Sequence, residues 1–263
     1  MINSMQMALI KKDIRSVTGD KRLFSVLLIV PLIMTIVLPS VFILIAGLVP
    51  IDSPDFQDLI AILPEGMLEG DLREALIRLL LNNVISVFFL LIPIMAASVV
   101  AASSFVGEKE KRTLETLLYC PLNLRQIFYA KILASFALSQ FVSLLSFTAM
   151  SLVVGAEIWL LTGGLIIPGI NWVVLLLLVS PALSLVAITL IVRGSAKAKT
   201  MEESQQRSVF LILPILLMVI GQFTGVMLLN AWILLGTGVL CAAAGLLLLR
   251  RSSANFHYER LLQ

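Results

Sequence analysis

The sequence predicts an all-α integral membrane protein with six transmembrane helices, an N-terminal interfacial helix and a short helix slung between spans two and three. Three observations lead there. Of the 263 residues, 59% are hydrophobic and 13% charged, with a mean hydropathy of +1.04; a soluble domain carries about 25% charged residues. Uncharged runs of about 20 residues or more, the length that crosses the hydrocarbon of a bilayer, recur along the chain. The polar segments between these runs also differ in charge from one side to the other, as the loops of a multi-pass protein do.

The elements follow in order. Residues 1–22 carry Met5, Ala8, Leu9 and Lys12 at helical spacing, with Lys11, Arg15, Lys21 and Arg22 on or near the polar side. This is the pattern of a basic helix lying along the inner leaflet. There is no small-residue cleavage site, and the apolar run that follows is too long for a signal peptide. Span one is 23–49 and contains Pro31 and Pro39, tolerated in spanning helices as kinks. Residues 50–82 form the largest loop. It holds seven acids, from Asp52 to Glu74, against Arg73 and Arg78. Helical spacing over 55–63 and 72–81, and a capping-box pattern at Asp71 and Glu74, predict a small helical cap leading into span two. The plainer reading of the loop is a solvated acidic segment; the sharper one is a lid over an exit path.

Span two is 83–106, with Pro93 inside; span three is 127–154, with Gln140 inside; span four is 171–192, with Pro181. Residues 155–170 lie between spans three and four, and a second polar loop covers 193–207. Span five is 208–229, with Pro214, Gln222 and the pair Gly221 and Gly225; span six is 231–249, and the tail is 250–263. Asn230 alone separates the last two spans, so the turn is very tight or the segments re-enter partway. Glycines at 221 and 225, and at 236, 238 and 245, allow close helix approach.

Charge sets the orientation. Every Lys and Arg except Arg73 and Arg78 falls on the side of the termini and the two polar loops, while the acids divide evenly between the sides. The positive-inside rule therefore places both termini and both polar loops in the cytoplasm of a plasma-membrane protein. The basic edges suit anionic lipid heads and need no nucleic acid to explain them.

Several chemistries find no support. Two cysteines, Cys120 and Cys241, make no disulfide framework, and the single His257 cannot build a metal site. No phosphate-binding loop, serine-hydrolase elbow or zinc-protease motif occurs, so no catalytic residue is assigned. No ionisable residue is expected well inside a span, where ion-coupled carriers keep them for work. Gln140, Gln222, Ser98, Ser103 and Thr224 are the polar residues left there, candidates for interhelical hydrogen bonds or for a pathway.

The segment 107–123 is the longest strongly polar run between two apolar ones. Leu114, Leu117 and Leu118 share one helical face, and Glu108 and Arg112 form an i,i+4 pair in the better order. Gly107 is expected to loosen the chain before this helix, and Pro121 to stop it. Asn123 and Gln126 then make a capping-box variant for span three. A helix of this kind needs a cover for its leucines.

Gly107-Glu-Lys-Glu-Lys-Arg-Thr-Leu-Glu-Thr-Leu-Leu118, followed by Cys120-Pro121-Leu122, resembles the signature of type 2 ATP-binding-cassette (ABC) exporter permeases. Residues 195–206, before a Pro-containing span, and the tail 256–262 give supporting matches. The resemblance implies that 107–123 is a coupling helix docking on an ATPase subunit. Leu114, Leu117 and Leu118 would then supply apolar contact, and Glu108, Glu110, Arg112 and Glu115 charged contacts at the rim. It further implies two ATPases that bind ATP and Mg, and a second permease copy or paralogue. The cargo would be amphipathic: peptide, drug or lipid-like. An ion-coupled carrier or channel, and a peptide-immunity or sensor protein without flux, are the rivals.

Overall fold

The computed structural model describes residues 4–48, 72–110, 122–164, 168–195, 198, 200–206, 209–223 and 231–254. Among them every regular element is helical. Six helices are long and apolar enough to cross a membrane, as the hydropathy pattern predicts.

Helix α1 (Ser4–Gly19) leads into α2 (Lys21–Leu48) through Asp20. The Asp20 carboxylate accepts the backbone N–H groups of Arg22 at 3.1 Å and Leu23 at 3.2 Å, so it caps span one at a defined joint. Pro31 and Pro39 lie within α2; between them the Thr35 hydroxyl donates to Pro31 O at 2.8 Å. The apolar stripe of α1 is not left to lipid. Leu9 and Ile10 pack on Ile127, Ala130 and Ala134, and Val17 packs on Leu27, Ala96, Val100 and Leu138.

The expected helix over 72–81 leads into span two without a break, in one run from Leu72 to Glu110. Helix α3 (Leu72–Leu79) runs through a π-turn at Leu80–Val84 into α4 (Ile85–Phe89) and α5 (Leu91–Glu110). Asn82 and Asn83 sit in that π-turn. Both amides donate to carbonyls one turn back, to Arg78 O at 3.0 Å and Leu79 O at 3.3 Å, so neither demands water. The outer cap expected over 55–63, and the capping box at Asp71, lie outside the described residues. Span two is the axis of the bundle: 83% of its apolar window is buried, against 22% for span three.

Helix α6 (Leu124–Thr162) is span three, opened by the expected capping box, in which Gln126 Oε1 accepts the Asn123 N–H at 3.0 Å. It ends at Gly163, whose φ of 69° is the left-handed value a glycine adopts freely. Span four is α7 (Ile170–Val174), a second π-turn at Leu175–Val179, and α8 (Ser180–Ser195). The short helix α9 (Met201–Gln206) precedes α10 (Val209–Phe223), and α11 (Ala231–Ala254) is span six.

Aromatic contacts tie spans two, three and four: Phe89 meets Trp172 edge-on at 5.4 Å between centroids and Phe147 at 6.1 Å. Close by in the chain, Asn82 Oδ1 accepts the Gly169 N–H at 2.8 Å. On α11, Gly238 lies against span four; a Cβ there would meet Leu178 at 2.9 Å. The outer faces of α2, α6, α10 and α11 expose Ile29, Leu152, Phe210, Leu213 and Trp232 among others. Apolar area of that extent in contact with the solvent requires the solvent to be lipid.

Candidate coupling site

The last two turns of α5, Ser103–Glu110, are the stem that leads into residues 111–121. Those residues, with Arg112, Leu114, Glu115, Leu117 and Leu118, lie outside the described set. Glu110 is exposed at the end of the stem. The sequence reading gives Glu108 a contact at a rim, paired with Arg112. The structure turns it inward instead: Glu108 is only 8% exposed. Its Oε2 lies 2.7 Å from Lys131 Nζ, and its Oε1 accepts a hydrogen bond from Lys12.

Lys131 is the hub. It sits on the second turn of α6 and is 3% exposed. Its ammonium donates to Ser104 O at 2.6 Å, faces Asp13 Oδ2 at 3.6 Å, and stands 5.5 Å from the Phe105 ring centroid. Asp13, equally buried on α1, accepts the Ser104 hydroxyl at 2.8 Å and lies 3.4 Å from Lys12 Nζ. Two carboxylates and two ammonium groups thus balance at one junction of α1, α5 and α6.

Local sequence explains the meeting. Asp13 occupies the apolar stripe of α1, four residues from Leu9 and from Val17. Ser104 and Glu108 are one turn apart on the buried face of α5. Lys131 follows Ile127 and Ala130 on the face of α6 that covers α1. Phe105 and Phe128, edge-on at 6.2 Å, lie beside the cluster. Taking charges out of water is costly, and the arrangement holds because each charge has an opposite neighbour and a hydrogen bond. Burial works against the Lys12 ammonium, but Glu108 and Asp13 outweigh it and hold its pKa above the ordinary lysine value.

Two further features flank the stem. Between α1 and α5 lies a cavity of ≈ 200 Å³, lined in part by Ser16, Ser103 and Glu108. On the other side, α9 presses Met201 against Gly107, where a Cβ would meet Met201 Cε at 3.2 Å. Gly107 therefore does not loosen the chain. It sits inside a continuous helix, and its missing side chain admits the second polar segment. Both polar loops are built onto the same stem.

The other candidates fall elsewhere. Gln140 bridges α6 and α8, donating to Ser184 Oγ at 2.8 Å and accepting from Ser180 Oγ at 3.3 Å. Gly221 and Gln222 lie within α10 with side chains outside the described set, and Gly225 is outside it altogether. Asp13 and Lys131 escaped the sequence reading. Lys131 is buried near the basic end of span three, as Asp13 is on α1. The signal was a charge on the stripe of each helix that otherwise holds Leu, Ile, Val and Ala.

Neither the curated proteins nor the solved structures compared with the chain give a match. A family model described as ABC-2 type transporter matches residues 6–229, from α1 to the segment beyond α10. With six apolar spans and polar loops braced on one stem, the chain is a membrane permease belonging to the ABC-2 type transporter family.

Proposed function

We propose that this permease is the transmembrane subunit of an exporter, moving an amphipathic cargo outward at the expense of ATP hydrolysed on a separate chain. Two cytoplasmic ATPase subunits, carrying ATP and Mg, would dock on residues 107–123, and a second permease copy or paralogue would complete the pathway. The observation that supports this most is the stem. A docking segment can deliver a push only if its base is fixed, and the base of this one is held by α1, α6 and α9 together.

The chain itself performs no catalysis in this reading, since its sequence carries no phosphate-binding loop. An apolar, charge-poor interior suits a peptide, drug or lipid-like cargo better than a strongly charged solute. The test is flux in vesicles holding the purified complex, against a small panel of such cargoes. Uptake is expected with ATP and not with a proton or sodium gradient alone. Gradient-driven flux by the permease alone would establish a carrier instead.

Orientation has its own check. With Cys120 and Cys241 replaced by serine, a thiol at Lys109→Cys is expected to react only after the cell is permeabilised. One at Ile60→Cys should react in intact cells. Labelling of both from outside would overturn the placement of the stem in the cytoplasm.

A further inference from the structure

The N-terminal helix meets its two neighbours in different ways. Against α6 it packs mainly by apolar contact, Leu9 and Ile10 on Ile127, Ala130 and Ala134, beside the Asp13–Lys131 ion pair. Against the stem it faces the cavity, and the ties across are polar: Ser104 Oγ to Asp13 at 2.8 Å, and Lys12 to Glu108. Apolar surfaces slide at little cost; hydrogen-bonded charges fix register. At its other end α1 passes directly into span one, across a joint capped by the Asp20 carboxylate.

We propose that Asp13 is a positioning residue for energy coupling. Through Ser104 and Lys131 it ties the coupling stem to α1, so that displacement of the stem is carried past the Asp20 joint into span one. This rests on the proposed function and deepens it. A structural brace alone would be met more simply by an apolar residue at position 13, in line with Leu9 and Val17, because a buried charge network seldom stabilises more than well-packed hydrocarbon. The ionic tie has a different property: beyond the apolar contact of Val17 with Ala96 and Val100, it fixes the position of the stem relative to α1 beside a cavity. Among the described residues the polar partners of Asp13 are Lys12, Ser104 and Lys131, none of them in 107–123. Its effect should therefore appear in transmission and not in ATPase capture.

The experiment uses the native complex, captured through a tag on the permease. A reporter thiol, Met34→Cys on α2, is placed in the Cys120→Ser, Cys241→Ser background, and its labelling rate is compared without nucleotide and with ATP plus vanadate. In the parent complex, nucleotide is expected to change that rate. With Asp13→Asn, ATPase capture and ATP turnover should persist, while the nucleotide-dependent change falls about tenfold, the equivalent of one charge-assisted hydrogen bond. Asp13→Glu should restore most of it, and Ser104→Ala, a milder change to the same tie, should give a partial loss.

A parent complex that captures no ATPase, or hydrolyses no ATP, would sink the proposed function. ATP turnover without any response at position 34 would sink the inference alone. So would an Asp13→Asn complex that responds like the parent, or one that fails to capture the ATPase, since Asp13 would then serve assembly only.

Discussion

Replacing Lys131 by methionine is expected to destabilise the permease by about 3–5 kcal/mol, because it leaves buried carboxylates without their shared cation. Asp13 and Glu108 both face the Lys131 ammonium, at 3.6 and 2.7 Å, and both are almost wholly enclosed. Lys12, half exposed, cannot balance both. The Ser104 carbonyl also loses its side-chain donor. Thermal unfolding in detergent, followed by the loss of monodisperse protein, measures the effect. Adding Glu108→Gln to Lys131→Met should recover part of the loss, because one orphaned charge is removed with the cation. A Lys131→Met variant that melts with the wild type would show that the cluster is not the closed network its geometry describes.

The second large effect belongs to the docking segment. Changing Leu114 and Leu118 together to aspartate should weaken ATPase capture at least about a hundredfold. Each buried leucine contributes roughly 1.5–3 kcal/mol, and each 1.4 kcal/mol is about a factor of ten in affinity. The charges of the same segment should matter less: Arg112→Ala is expected to cost about 0–1 kcal/mol, as exposed ion pairs do. Pull-down of the ATPase at graded concentration separates the two. Full capture by the double aspartate variant, with ATP-dependent flux retained, would rule out docking through this face.

Much of this architecture was legible beforehand because the bilayer imposes it. Long apolar runs must be helices when no water is present to satisfy the backbone. Six such runs could be counted from residues alone, and the Asn123–Gln126 cap is a local pattern read directly. The failures were non-local. Gly107 looked like a breaker because its partner Met201 lies far along the chain. Asp13 and Lys131 went unnoticed, since only the packing of α1 on α6 brings them to Glu108. Charge pairing across such distances in sequence is fixed by tertiary contacts, to which periodicity is blind.

The length of α6 has a consequence for the surrounding lipid. From Lys131 to Glu157 its axis rises roughly 39 Å at about 1.5 Å per residue, whereas the hydrocarbon slab is about 30 Å thick. The rod therefore has slack. Tilted by as much as about 40°, within the range seen for spanning helices, it still keeps both ionisable groups at or beyond the oil boundary. Thicker or thinner membranes should change its lean before they drag either charge into the acyl chains.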